Sequence, residues 1–148
     1  MRSFEIDHDR LLPGIYKHSV SGLVVTWDVR IKTPNKGEYL TPAQIHTIEH
    51  TLATYLRGRY GNYRIVGIFP MGCQTGFYVL TRFIDKVMIY ESIVDYILNL
   101  QRSISVPGAT RRQCGQFELQ DLRGAKQVVL DYYEHHLKFQ KSALKYNK

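Results

Sequence analysis

The chain has 148 residues, of which 44% are hydrophobic and 22% charged, and its formal net charge is +7. This length and composition predict one globular domain over residues 1–148, and no apolar run approaches the roughly 18 residues that a membrane-spanning helix needs. The first residues lack the apolar segment of a secretory signal and the two cysteines form no disulfide framework, so we predict a cytoplasmic protein with reduced thiols.

The excess of positive charge is greatest near the C-terminus, at Lys138, Lys141, Lys145 and Lys148. Lysines at the end of a helix complement the helix dipole, and no basic and aromatic nucleic-acid module is recognisable. The charge therefore favours a solvated helix end and tail, or an anionic small substrate, over a nucleic-acid partner.

The first predicted elements are a strand and a helix. Residues 23–32 alternate between apolar and polar side chains, which predicts a half-buried β-strand with Arg30 on its polar face, where it could bind an anion. Thr41 and Gln44 have the spacing of a capping box, with proline at the first helical position between them. They therefore begin a helix that we expect to run to about Arg59.

The rest of the chain continues to alternate between strands and helices. Residues 63–70 and 76–83 are rich in β-forming side chains and flank a glycine-containing loop. Apolar residues recur at helical spacing over 85–101 and over about 121–144. Because the connections are short, we predict an α+β fold in which helices pack on one face of an antiparallel sheet.

The first predicted helix carries the motif His46-Thr47-Ile48-Glu49-His50. Residues four apart stand above one another on a helix, so the two imidazoles can bind one metal ion with the Glu49 carboxylate beside them. The order H-x-x-E-H is that of inverted-zincin peptidases. Helical phase separates both histidines from the apolar stripe that contains Ile48 and Leu52, which argues against a core role and leaves solvated surface histidines as the simpler alternative.

A stable metal site needs at least three protein ligands, so the histidine pair requires another residue. Cys114 lies in a loop-like stretch next to a glycine, and a thiolate is a strong ligand for a borderline-soft ion. With Cys114, the site has the open fourth position of a catalytic centre. An acidic third ligand, for which Glu118, Asp121 and Glu134 are the candidates, would instead favour peptidase chemistry.

Cys73 is the second thiol and follows a predicted strand in a loop of small residues. Free cysteine is often a small buried hydrophobic residue. Near a divalent cation, however, a thiol loses its proton more readily and can act as a base. The residues alone therefore allow a metal-thiolate enzyme, a metallohydrolase based on Glu49, or a binding module with a structural metal.

Five short motifs occur in order along the chain. They are Ser3-Phe4-Glu5-Ile6-Asp7-His8, Asp28-Val29-Arg30 with Pro34-Asn35, the histidine motif, Pro70-Met71-Gly72-Cys73-Gln74-Thr75-Gly76-Phe77-Tyr78, and Gln113-Cys114-Gly115-Gln116. Together they resemble the S-ribosylhomocysteine lyase family, the enzymes of autoinducer-2 synthesis in bacterial quorum sensing. The resemblance runs from residue 3 to about residue 127.

The resemblance implies a homodimer with one divalent metal per subunit, natively Fe(II), for which Zn or Co can substitute. The implied reaction cleaves S-ribosylhomocysteine to homocysteine and 4,5-dihydroxy-2,3-pentanedione by metal-assisted aldose–ketose isomerisation and β-elimination. The implied roles are metal binding by His46, His50 and Cys114, acid–base catalysis by Cys73 and Glu49, and substrate binding by Ser3, His8 and Arg30.

Two positions depart from the pattern of this family. Phe69 stands where many relatives have serine, and Gly67 where some carry an acidic residue near the ribose. Both positions precede the Cys73 loop, so the departures affect the expected shape of the substrate pocket.

Overall fold

Four strands form one antiparallel sheet in the computed structural model. The structure describes residues 2–147. The strands are β1 Gly14–Ser21, β2 Val24–Arg30, β3 Ile65–Pro70 and β4 Gly76–Arg82, and their order across the sheet is β1-β2-β4-β3. The helices are α1 Pro42–Tyr60, α2 Lys86–Leu100 and α3 Leu122–His135, with short 3-10 turns at Arg2–Phe4 and Leu137–Phe139. No helix within residues 2–147 is long and apolar enough to cross a membrane.

The helix that carries the histidine motif begins where the sequence predicts. The Thr41 hydroxyl accepts a hydrogen bond from the Gln44 amide at 3.1 Å, and the Gln44 side chain accepts one from the Thr41 amide at 2.9 Å. At the other end, Gly61 adopts a φ of 83° and its amide donates to the carbonyl of Arg57. Both bonds of the predicted capping box are therefore confirmed.

The hydrophobic core lies between the helices and one face of the sheet, which confirms the predicted α+β fold. Burying a large apolar side chain contributes about 1.5–3 kcal/mol relative to leaving it exposed. His46, Glu49 and His50 lie beside the buried stripe of α1 and are only partly buried, as their helical phase predicts. Core members include Ile15, Phe77 and Val79 from the sheet, Ile48, Leu52 and Leu56 from α1, Ile89 and Ile93 from α2, and Ala125 and Val129 from α3.

The opposite face of β2 is also buried in part, which corrects the half-buried strand predicted over residues 23–32. The side chains of Asp28 and Arg30 lie on that face, and these residues are 0% and 1% exposed. They form an ion pair at 2.6 Å, as buried charges require. Alternation grouped these polar residues correctly, but it carries no information about a distant segment that covers them.

The helix predicted over residues 121–144 is wrong beyond His135. At His136 the backbone leaves the helical conformation and the chain continues through a 3-10 turn. Helical spacing of apolar residues continues to Leu137, but this residue reaches the hydrophobic core from the 3-10 turn and not from the helix. Of the lysines predicted to be solvated, Lys138, Lys141 and Lys145 are exposed, and Lys148 lies outside the described residues.

Residues 141–147 form an extended C-terminal tail that runs beside β1. The amide of Leu144 donates to the Ile15 carbonyl at 2.8 Å, and the amide of Lys17 donates to the Leu144 carbonyl at 2.8 Å. These bonds to an edge strand, which the sequence analysis did not predict, take the place of the expected helical bonds. The tail thereby reaches the face of the sheet on which Asp28 lies.

Candidate metal centre and thiol site

Three side chains with metal-binding atoms converge beside α1. One ligand atom from each of His46, His50 and Cys114 lies within 4.8 Å of the other two. All three residues are partly buried, and the two imidazole rings meet edge to face with their centroids 4.6 Å apart. Two imidazoles and a thiolate suit a transition metal such as iron or zinc better than magnesium or calcium. The fold therefore brings the three predicted ligands together in a set that suits a transition metal.

Each histidine presents the same ring nitrogen to this centre. His46 Nδ1 donates to the Leu119 carbonyl at 2.6 Å, and His50 Nδ1 donates to the Pro107 carbonyl at 2.8 Å. Because a carbonyl oxygen only accepts, Nδ1 carries the proton and Nε2 keeps its lone pair for a metal. The sulfur of Cys114 lies 3.3 Å from His46 Nε2. Backbone carbonyls therefore orient both rings for coordination.

Thr47 holds the end of the Cys114 loop against α1. Its hydroxyl donates to Gln120 Oε1 at 2.7 Å and accepts from the Asp121 amide at 2.9 Å. Sequence reasoning gave Thr47 no role, although its place inside the histidine motif was an available signal. The hydroxyl thus ties the segment that follows Cys114 to the helix that carries the other two ligands.

The acidic candidates for the third ligand lie outside this cluster. Asp121 accepts from the Gly124 amide at 2.8 Å and so caps α3. Glu134, near the end of α3, pairs at the surface with Lys138 of the following 3-10 turn, and Glu118 is exposed. The thiol therefore takes the third place, and the acidic ligand that would favour peptidase chemistry is missing from the cluster.

Cys73 is exposed in the loop between β3 and β4, where its sulfur has two polar neighbours. The Thr75 hydroxyl oxygen is 3.0 Å from the sulfur, and Arg30 Nη1 is 3.9 Å away. Arg30 Nη1 also donates to the Thr75 oxygen at 2.8 Å, so that the guanidinium and the hydroxyl form one hydrogen-bonded group beside the sulfur. The loop thus places a guanidinium nitrogen and a hydroxyl group beside the Cys73 sulfur.

Asp28 holds Arg30 behind this loop. Arg30 Nε donates to Asp28 Oδ1 at 3.1 Å, and Nη2 donates to Oδ2 at 2.6 Å. Burial by itself lowers the pKa of Arg30, but the charge and hydrogen bonds of Asp28, with smaller contributions from Cys73 and Tyr146, raise it overall. Arg30 therefore keeps its positive charge, and it lies behind a thiol instead of on the open polar face that the sequence indicated.

The chain matches one known family over nearly its whole length. A family model described as S-ribosylhomocysteinase (LuxS) matches residues 1–143. The chain belongs to this family. S-ribosylhomocysteinases are carbon–sulfur lyases that cleave S-ribosylhomocysteine in autoinducer synthesis, so the predicted enzyme class is confirmed. The metallohydrolase alternative finds no support in the family or in the third ligand.

Two open cavities adjoin some of the predicted site residues. One of about 380 Å³ is bordered by Glu49, His50 and Phe69, and one of about 350 Å³ by Ser3, Tyr78 and again Phe69. Phe69 is 51% exposed and separates the two. Glu49 therefore borders the same space as His50.

The other two predicted substrate residues border neither cavity. His8 is partly buried, and its Nδ1 donates to the carbonyl of Ile6 at 2.8 Å. Arg30 is separated from solvent by the Cys73 loop. Of the three predicted substrate residues, the fold thus places Ser3 alone beside a described cavity.

The two departures from the family pattern are structurally linked. A Cβ atom built on Gly67 would lie 2.6 Å from two ring atoms of Phe69, so the ring occupies the space that any larger residue at position 67 requires. An acidic side chain at 67 and the present position of the phenyl ring exclude each other. The ring of Phe69 therefore forms an aromatic wall beside Gly67.

Replacing Gly108 by alanine is expected to weaken metal binding about tenfold. Gly108 has a φ of +72°, and an added Cβ would lie 3.2 Å from His50 Nδ1, on the side where the Pro107 carbonyl orients the ring. Disturbing a hydrogen-bond partner of a ligand typically costs about 10- to 100-fold in metal affinity. Competition against a chelator of known affinity measures the change.

Gly115→Ala is the matched control, because Gly115 adjoins the ligand Cys114 but a Cβ there meets no atom within 4 Å. Its metal affinity should stay within twofold of the unaltered protein, on the order of experimental error. Equal affinities for Gly108→Ala and Gly115→Ala would contradict the orienting role of the Pro107 carbonyl.

Proposed function

We propose that the chain converts S-ribosylhomocysteine to homocysteine and 4,5-dihydroxy-2,3-pentanedione by two aldose–ketose isomerisations followed by β-elimination. The observation that carries the proposal is the second thiol, Cys73, which is exposed and held beside Arg30 and Thr75. Moving a carbonyl along a sugar needs a group that takes and returns a carbon proton, and an exposed thiol can serve as that group, whereas hydrolysis at a metal centre does not require one.

The proposed metal is one divalent ion per subunit, Fe(II) natively, with Zn or Co as substitutes. His46, His50 and Cys114 would hold it, and their donor set of two nitrogens and one sulfur supports this choice. Bound there, the ion supplies Lewis acidity to the oxygens of the sugar. The proposed location is the cytoplasm, where both thiols remain reduced.

Cys73 is the proposed principal acid–base group. In each isomerisation its thiolate takes a proton from a carbon next to the carbonyl and returns it to the neighbouring carbon. Arg30 and the Thr75 hydroxyl stabilise the sulfur in its anionic form between these transfers. In the last step a further carbon proton is removed and the carbon–sulfur bond breaks, so that homocysteine leaves as a thiol.

Glu49 is the proposed second proton-transfer group, because it borders the same cavity as His50. Its carboxylate moves protons among the hydroxyl and carbonyl oxygens while Cys73 acts at carbon. Ser3, His8 and Arg30 are the proposed substrate-binding residues. Arg30 is buried beneath the Cys73 loop, so its positive charge would act on the substrate across that loop.

A homodimer is the proposed assembly. Several apolar side chains near the N-terminal segment and the uncovered part of the sheet are unusually exposed, among them Phe4 at 80%, Leu12 at 61% and Phe69 at 51%. Exposed apolar groups beside open cavities are typical of a surface that a partner covers. A mass in solution near the 17.3 kDa of one chain would contradict the dimer.

Thiol release tests the proposed activity. Anaerobic protein loaded with Fe(II) should release homocysteine from S-ribosylhomocysteine, and Ellman's reagent detects the new thiol above the background of the protein's own cysteines. Protein with one Fe(II) per chain that releases no thiol would rule out the proposed reaction.

A further inference from the structure

The C-terminal tail contacts the buried ion pair behind Cys73 through Tyr146. Tyr146 lies beyond the family match, which stops at residue 143. Its ring stacks on that of Tyr16 with the centroids 5.0 Å apart and the planes 12° from parallel. Its hydroxyl donates to Asp28 Oδ2 at 2.6 Å and is 3.1 Å from His18 Nδ1. Tyr146 is therefore fixed on this face of the sheet by a ring contact and by hydrogen bonds of its hydroxyl group.

The hydroxyl of Tyr146 is the donor in its bond to Asp28, because a carboxylate oxygen accepts. Burial raises the pKa of Tyr146 above its usual value, and the charge of Asp28 and the hydrogen bond to it raise it further. The hydroxyl therefore stays protonated, and the short bond to a carboxylate is of the strong, charge-assisted kind.

A continuous chain of contacts leads from this hydroxyl to the thiol. Asp28 Oδ2 accepts from both Tyr146 and Arg30 Nη2, while Asp28 Oδ1 accepts from Arg30 Nε. This two-point grip leaves Arg30 Nη1 to reach the Thr75 hydroxyl at 2.8 Å and the Cys73 sulfur at 3.9 Å. Each contact fixes the orientation of the next group, and all the intermediate groups are buried.

We propose that Tyr146 is a positioning residue for the Cys73 thiolate, acting through Asp28 and Arg30. Without the hydroxyl, the fully buried Asp28 carboxylate loses one of its three donors and can rotate toward a new one. The guanidinium follows the carboxylate, so that Nη1 moves away from Thr75 and Cys73. This inference depends on the proposed role of Cys73 for its kinetic consequence but not for its effect on thiol reactivity.

Tyr146→Phe tests the proposal, because it keeps the ring stacked on Tyr16 and removes the hydroxyl alone. Tyr63→Phe is the matched control, since Tyr63 is 62% exposed and its ring also packs on a neighbour, Phe83. The first readout is the rate at which iodoacetamide alkylates Cys73 at one fixed pH near neutrality, followed by mass spectrometry of the Cys73 peptide. The second readout is kcat and KM for S-ribosylhomocysteine, with far-UV circular dichroism to confirm folding.

We expect Tyr146→Phe to slow alkylation of Cys73 and to lower kcat by roughly tenfold each, with KM within about twofold, and Tyr63→Phe to match the unaltered protein. An unchanged alkylation rate in folded Tyr146→Phe would overturn the proposal, whatever happens to kcat. So would a rise in KM alone, which would make Tyr146 a substrate contact. If the unaltered protein releases no homocysteine but alkylation still slows, the proposed activity fails while the positioning role stands.

Discussion

Cys73→Ser should lower kcat for homocysteine release by about 1,000-fold while leaving the metal in place, since positioned acid–base groups contribute about 100- to 10,000-fold. A serine hydroxyl fits the same space but does not ionise near neutral pH, so it cannot take a proton from carbon. Arg30 and Thr75, which face the sulfur, keep their contacts with Asp28 and with each other in the variant. Thiol release and metal content, measured on one preparation, check both parts of this result.

A Cys73→Ser protein that binds one metal per chain and keeps more than about a tenth of the original kcat would contradict this first prediction. A decrease in kcat of less than about tenfold is smaller than the contribution of a positioned acid–base group. Metal chemistry alone would then suffice, as in a hydrolase. The unchanged metal content serves as the internal control, since Cys73 lies outside the cluster formed by His46, His50 and Cys114.

Cys114→Ala should remove both the metal and the activity. The variant leaves two imidazoles, fewer than the three protein ligands of a catalytic site, so metal affinity should fall by more than about 100-fold. The helix that carries His46 and His50 should remain, because its capping box and its buried stripe do not involve the metal. Metal analysis after dialysis against a chelator, combined with circular dichroism, separates loss of metal from loss of fold.

Comparison of the two cysteine variants gives this second prediction its control. Cys73→Ser should retain metal without activity, whereas Cys114→Ala should lack both. A Cys114→Ala protein that keeps one tightly bound metal per chain would show that another residue takes the third place, and Asp121 and Glu118 are the nearest candidates along the chain.

The sequence predicted the features that depend on neighbouring residues. The capping box of Thr41 and Gln44 fixes the start of α1, and helical phase then places His46 and His50 beside the core stripe instead of within it. The choice of Cys114 as third ligand came from the family resemblance, since residue chemistry alone left acidic alternatives open. The fold removes them because Asp121 caps α3.

The features that the sequence did not predict depend on contacts between distant parts of the chain. Strand β1 contains Lys17, His18 and Ser19, which weaken its apolar alternation, so its pairing with β2 gave no local signal. Buried Asp28 accepts a hydrogen bond from Tyr146, 118 residues away. Helical periodicity likewise could not show that the tail beyond His135 pairs with an edge strand.

The most direct test of the proposed reaction is the ratio of its two products. Fe(II)-loaded protein would be incubated anaerobically with S-ribosylhomocysteine, and the thiol measured with Ellman's reagent while the diketone is trapped with 1,2-phenylenediamine. Because isomerisation and β-elimination add no water, we predict one molecule of 4,5-dihydroxy-2,3-pentanedione for each homocysteine. Thiol accompanied by ribose without the diketone would indicate hydrolysis and would contradict the proposed mechanism.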